Sequence, residues 1–242
     1  MNIPAQKRKL KRLVPIFSEE LRAVLQHHYL LLPAAGNAKI IARVSNSPMA
    51  RGFRVLRYHM IRTDVLGICR IAFDQDGRVS ALTLIEQLLK PGAEGLRESF
   101  KADYSRPSPI PTKRMDGTPL TEEDKQMWRQ VEEDQSQERA AEFFELLKQL
   151  EEDRDWLGNH QDKFKKLRDK HIAHLEVRAS PQGVYEIVSP GGPTWGVIKE
   201  TLDRLVRIAE NLLPLVLQKD ENFDQANELF KRDADAFWKL EP

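Results

Sequence analysis

Cysteine is nearly absent from this 242-residue chain: Cys69 stands alone. No internal disulfide can form, and the pattern points to a reducing compartment. Set between Ile68 and Arg70 in a helical pattern, Cys69 reads as a small buried apolar residue rather than a reactive thiol. Long apolar runs are missing too. The stretches Leu30–Ala35 and Leu212–Leu217 contain Pro33 and Pro214, and both are far shorter than the ~20 residues a membrane span needs. The basic start, Lys7 to Arg12, is not followed by the apolar region of an export signal. These absences place the expected protein in the cytoplasm with no membrane partner. A surplus of one charge is also lacking: 38 basic residues face 37 acidic ones, for a net charge of +1. A nucleic-acid partner would therefore need a local basic patch. The histidines do not gather with cysteine into a ligand set. His160, His171 and His174 offer donors from one helix only, so neither a metal nor another cofactor is expected.

What is present is material for helices. Hydrophobic residues make up 40% of the chain and charged residues 31%, with only 12 glycines, which suits a globular helical protein. Residues 1–15 are basic and read as a mobile arm or a helix that orders on contact. Ser18-Glu19-Glu20 starts a helix that should stop at Pro33. Ser47-Pro48 opens a long helix. Its apolar positions, from Met49 and Phe53 to Ile71 and Phe73, surround it so fully that it is expected to be the central one. A short helix follows from Ser80 to Lys90, then a helical turn to Phe100. Residues 103–120, with four prolines and Asp116-Gly117, read as a surface loop. Thr121 and Asp124 resemble a capping box for a helix running to about Leu150. The window 121–155 holds 13 acidic and 5 basic residues. That is a solvated face, or an electrostatic partner for the arginines of the central helix or the N-terminal arm.

A further helix is expected from Trp156 to about Glu176, then a small β-hairpin or extended loop over 177–188. Gly191-Gly192-Pro193-Thr194 opens a helix to Leu217. A last helix, from Asn222 to Leu240, spaces Phe223, Phe230 and Phe237 seven apart, an aromatic face for packing on the bundle or on a second subunit. The expected fold is all-α, an up-and-down helical bundle over residues 16–218, with the arm 1–15 before it and the helix of 219–242 after it.

Chemistry concentrates in Leu167-Arg168-Asp169-Lys170-His171-Ile172-Ala173-His174. At 100° per residue, Phe164, Leu167, His171 and Leu175 form an apolar side, while Lys165, Lys166, Asp169 and Lys170 lie opposite. Arg168 and His174 flank the seam, about 120° apart by the same count. A guanidinium and an imidazole at the rim of an apolar face need partners, or they line a cleft. Taken singly, His171 reads as a hydrogen-bonded core histidine and Arg168 as half of an ion pair with the acidic helix.

The spacing Arg168-x5-His174, with a polar residue directly after the arginine, resembles the signature of the HEPN family. The wording from Leu167 to Leu175 is similar to its abortive-infection AbiU-like branch. Thr194-Trp195-Gly196 before a Leu/Val/Ile-rich helix, and the Arg-rich helix running into Phe73-Asp74 and then Ser80–Leu89, extend the likeness over most of residues 20–218. The resemblance implies a HEPN-type bundle and a metal-independent endoribonuclease, a toxin or antiphage effector. It implies a homodimer with two motifs facing a shared cleft, and a cognate antitoxin as a further partner. His174 would be the acid or base and Arg168 the phosphate holder. Asp169 would orient one of them, and Lys165, Lys166, Lys170 and His171 would line the path of RNA. The alternative is a non-catalytic helical module that binds RNA, nucleotide or protein. Some members carry a tyrosine two positions after the histidine, which a partner enzyme modifies. This chain has Glu176 there, so that route of neutralisation lacks its acceptor.

Overall fold

The computed structural model describes residues 2–74, 79–114, 117–166, 168, 177–179, 185–187 and 194–239. Among them the protein is an all-α bundle of eight helices with one two-stranded hairpin. The first helix, α1 (Ile3–Gly36), starts at Asn2, whose side chain accepts the Ala5 N–H at 3.1 Å. It begins fifteen residues before the expected start at Ser18. Leu10, Val14, Phe17 and Leu21 are fully buried at spacings of four, three and four, so the apolar stripe of this helix already runs through the basic segment. Residues 3–15 are thus the first turns of α1 rather than a separate arm. Lys7 donates to the Ser99 carbonyl at 2.7 Å and pairs with Asp103 at 2.8 Å. Lys11 pairs with the same carboxylate at 3.3 Å. The bond from Lys7, followed by that from Lys11, holds the Asp103 carboxyl below the usual carboxylate range.

Pro33 does not end α1 either. A proline removes one N–H donor, and the Asn37 N–H still closes on the Pro33 carbonyl at 3.0 Å. Asn37 then caps the short α2 (Ala38–Ser45). The long helix α3 (Ala50–Phe73) follows. Next comes α4 (Ala81–Leu89), where a short helix was expected and which Ser80 caps, and α5 (Glu94–Tyr104).

One helix replaces the two expected after the proline-rich loop: α6 runs unbroken from Glu122 to Lys166, 45 residues. At 1.5 Å per residue it is about 67 Å long. Neither Gly nor Pro interrupts Leu150 to Trp156, so nothing there breaks the backbone ladder. Its start is the expected capping box. Thr121 N–H donates to Asp124 at 2.8 Å and Asp124 N–H donates back to the Thr121 hydroxyl at 3.2 Å. The Thr121 N–H, with Arg114 beside it, pushes the Asp124 carboxyl down to about 2.

The hairpin β1 (Val177–Ala179) and β2 (Tyr185–Ile187) pairs antiparallel, Val177 opposite Ile187, where a hairpin or extended loop was expected. The remaining helices are α7 (Trp195–Leu217), capped by Thr194, and α8 (Phe223–Trp238), capped by Asn222.

The centre of the bundle is α1, which packs against α2, α3, α4, α5, α7 and α8. The expectation that α3 is central fails because its first half is only partly covered: Met49, Val55 and Leu56 are exposed. A main core joins α1, the end of α3, α4, α5, the second half of α6 and α7. A smaller one gathers the end of α1, α2, the first half of α3 and Trp238. The aromatic face expected on α8 is only partly used. Phe223 is fully buried and Phe237 is exposed, and the anchor at the far end is Trp238. Its indole N–H donates to the Leu30 carbonyl at 2.8 Å, and its ring meets Phe53 edge-on at 6.0 Å. The helix packs on α1 of its own chain.

Most of the acidic face of α6 is solvated, as its composition suggests. Glu132 and Asp153 are buried exceptions: Glu132 accepts the Ser108 N–H at 2.9 Å, and the fully buried Asp153 binds Arg204 at 2.8 Å and Arg207 at 2.9 Å, both on α7. Through this carboxylate the acidic helix is tied to α7. Asp153→Ala is expected to lower stability by about 1.5–3 kcal/mol, the usual worth of hydrogen bonds to a charged group, because both arginines lose their bonds to this carboxylate, although Arg204 retains Glu200. Urea unfolding followed by circular dichroism reads this directly, and an unchanged midpoint would refute it.

Candidate active site

Three contacts bring the end of α6 to the end of α3. Phe164 is buried and packs on Phe73 with ring centroids 4.9 Å apart. The Cys69 thiol, buried as expected, points at the Phe164 carbonyl at 3.9 Å. Just beyond, Arg168 Nη1 donates to Asp74 Oδ1 at 3.1 Å. Asp74 caps the C-terminus of α3, and its carbonyl accepts the Thr83 hydroxyl at 3.4 Å. A residue of α4 thus braces the position from below. The Asp74 side chain is 19% exposed and that of Arg168 is 40% exposed. The guanidinium is therefore tethered on one edge while it keeps access to solvent. A guanidinium presents its N–H donors in a planar fork, a shape that matches the oxygens of a phosphate.

Asp74 is the residue that sequence reasoning missed. The expected partner of Arg168 was Asp169 or the acidic helix. The available signal was its place directly after Phe73, where an apolar helix ends in a carboxylate. Lys165 and Lys166 are exposed at the end of α6. Asp169, Lys170, His171 and His174 lie outside the described residues. His160, the other histidine of this stretch, is committed to its own helix. Its Nδ1 meets the Trp156 carbonyl at 2.9 Å and its ring stacks on Trp156 at 4.0 Å. The Arg204 guanidinium lies 4.7 Å from the centre of the same indole. Among the described residues no group of three or more His, Cys, Asp or Glu is placed to hold a metal ion. No described helix is long and apolar enough to cross a membrane.

A buried polar pair lies deeper between α1 and α3. His28 Nδ1 and Asp64 Oδ2 are 2.9 Å apart, with side chains 6% and 0% exposed. The His28 ring also stacks on Trp195, the first residue of α7, at 5.8 Å and 23°. Neither residue carries a sequence motif that marks it.

An all-helical bundle with an arginine of the Arg-x5-His spacing at its rim has the character of a HEPN domain. The sequence model of the family described as AbiU2 matches residues 7–237, and this chain belongs to that HEPN family. No curated protein and no solved structure matches the chain.

Proposed function

We propose that this protein is a metal-independent endoribonuclease of abortive-infection type, which cuts RNA as a homodimer whose two motifs face a common cleft. The observation that supports it best is the tethered yet accessible guanidinium of Arg168, in a chain of the HEPN AbiU2 family. In this reading the nucleophile comes from the substrate. His174 takes the proton of a ribose 2′-hydroxyl. The 2′-oxygen attacks the adjacent phosphorus, and the bond to the 5′-oxygen breaks. The leaving oxygen receives a proton from His174, which a free pKa near neutrality allows. The products are a 2′,3′-cyclic phosphate and a 5′-hydroxyl, and no redox or co-reactant step is involved. Arg168 pairs with the phosphate oxygens as charge builds on them. Asp74 keeps that side chain from straying, and Asp169 orients the imidazole or the arginine.

Lys165, Lys166 and Lys170, doubled in the dimer, raise the local positive potential that a chain of net charge +1 otherwise lacks. His171 lines the same path. The protein would act in the cytoplasm, held in check by an antitoxin until its trigger arrives. The test is incubation of the purified protein with total RNA in excess chelator, wild type beside His174→Ala. New 5′-hydroxyl ends formed by wild type alone support the reading. RNA bound and left intact would instead assign a binding module.

Arg168→Ala is expected to lower the cleavage rate about 100- to 1,000-fold, the usual cost of losing one donor to transition-state charge. Arg168→Lys should restore little of it, because an ammonium cannot hold Asp74 and a phosphate with one planar fork. Single-turnover cleavage of a labelled oligonucleotide measures both. Full activity in Arg168→Ala would remove this residue from the site.

A further inference from the structure

The first half of α6 is an arm with little of its own chain beside it. Among residues 121–142 only Glu132 is buried. One side of the arm meets the proline-rich loop: Glu132 accepts the Ser108 N–H at 2.9 Å, and Ser136 donates to the Ser105 carbonyl at 2.6 Å. About 100° round the helix, Met127, Trp128 and Val131 share an exposed apolar face. Residues 122–142 hold eight acidic and three basic residues. Apolar side chains grouped on an exposed helix mark a surface that a partner covers. The first half of α3 has the opposite charge. Val55 and Leu56 are exposed there, between Arg51 and Arg62. Neither arginine has an ion-pair partner among the described residues, and neither Glu123 nor Asp134 of the arm has a cationic one. Asp64, the only acidic residue of α3, is buried. Two α3 helices would therefore repel each other, while the arm suits α3 in charge.

The two surfaces also match in spacing. Arg51, Val55, Leu56, His59 and Arg62 follow one another at intervals of four, one, three and three, and so do Glu123, Met127, Trp128, Val131 and Asp134. Each set spans eleven residues, about 16 Å at the α-helical rise. Set side by side in parallel, the helices bring Arg51 to Glu123 and Arg62 to Asp134, with apolar residues between. One chain cannot make this contact with itself. The loop that holds the arm follows α5, which Lys7 ties to the start of α1, whereas Phe53 meets Trp238, which is bonded at Leu30. Lys7 and Leu30 lie 23 residues apart on α1, about 35 Å. Within the chain α3 runs against α1, since Arg70 pairs with Glu20 and Asp64 with His28. The helix α6 runs along α1, from Phe143 beside Tyr104 to Phe164 beside Phe73, so α3 and α6 of one chain are antiparallel. A two-fold axis across α1 reverses α6 of the second copy and makes it parallel to α3. We infer that the acidic arm of α6 docks on the exposed face of α3 in a second copy of this chain, reciprocally, to form a closed two-fold dimer. This names a surface for the proposed homodimer and does not depend on RNA cleavage.

The test measures the mass of the full chain in solution by light scattering and sedimentation over a range of concentrations. Wild type is compared with two double variants, Arg51→Glu with Arg62→Glu and Glu123→Arg with Asp134→Arg. All four positions lie on the surface, and circular dichroism checks that each protein keeps its helices. Wild type is expected at about 56 kDa, twice the 28.0 kDa of the chain. Each double variant sets like charges against each other, which should weaken association about 100-fold or more and give monomers. The two variants mixed should recover the dimer, because the acidic α3 of one then meets the basic arm of the other, while the second contact keeps its original charges. A chain carrying all four substitutions should dimerise as well. A monomeric wild type overturns the inference, and assemblies that grow with concentration overturn its two-fold closure. A dimer that survives in both double variants overturns the surface, as does a failure of the mixture to reassociate. Cleavage measured on the same samples bears on the nuclease reading alone: an intact dimer that leaves RNA uncut ends that reading and leaves this contact standing.

Discussion

Replacing His174 with alanine is expected to abolish RNA cleavage and any growth arrest the protein causes, with helix content intact. The effect should be about 100- to 10,000-fold on the chemical step, the range that a positioned acid–base group supplies. Two features make it large. The proposed dimer has one histidine per motif, so the substitution removes both copies at once. And of the described histidines, neither His28 nor His160 is placed to take over. His28 is sealed between α1 and α3, and His160 is turned onto Trp156 with its Nδ1 at the Trp156 carbonyl. RNA-binding affinity should change little, since lysines and Arg168 carry the phosphate contacts. A growth assay beside gel analysis of total RNA decides it. Cleavage surviving in His174→Ala would remove the imidazole from the mechanism, and with it the reading of the Arg-x5-His spacing.

The second large effect is on stability. Phe164→Ala is expected to cost about 3–5 kcal/mol, the usual range for a truncated core phenylalanine. Phe164 is 1% exposed, packs on Phe73 at 4.9 Å and is the last described core residue before Arg168. Its loss opens a cavity at the joint between α3 and α6, so the variant should also lose activity out of proportion to its unfolded fraction. The Arg168–Asp74 bond spans that same joint. Phe164→Leu should retain most of both properties. Denaturant unfolding and cleavage on the same samples separate the two effects. A fully stable Phe164→Ala protein would show that the joint is held elsewhere.

Much of the helical order was legible along the chain. Ser80, Thr121, Thr194 and Asn222 begin their helices with side-chain caps, because capping is a local bond between residues two or three apart. Two boundaries misled for opposite reasons. At the N-terminus a run of lysines and arginines concealed Leu10 and Val14, whose role depends on a core that only the other helices create. At Pro33 a residue that usually stops a helix merely thins its bonding. The break expected between Leu150 and Trp156 had no residue to cause it.

At the candidate site, Arg168 and its exposed lysine neighbours could be picked out by motif and by helical face. Asp74 could not be paired with Arg168 from the sequence. The two are 94 residues apart, and only the packing of Phe73 on Phe164 brings them within reach. His28 and Asp64 are 36 apart and look like ordinary members of two amphipathic helices.

Composition, periodicity and caps by themselves determined that this protein is an all-α bundle and where several of its helices begin, since each depends on interactions within a few residues. The tertiary structure alone decided which carboxylate holds Arg168, which helix lies at the centre, and that a buried His–Asp pair stands behind Trp195. Contacts between distant segments follow from how helices pack, and helix packing is settled by the whole set of apolar faces at once.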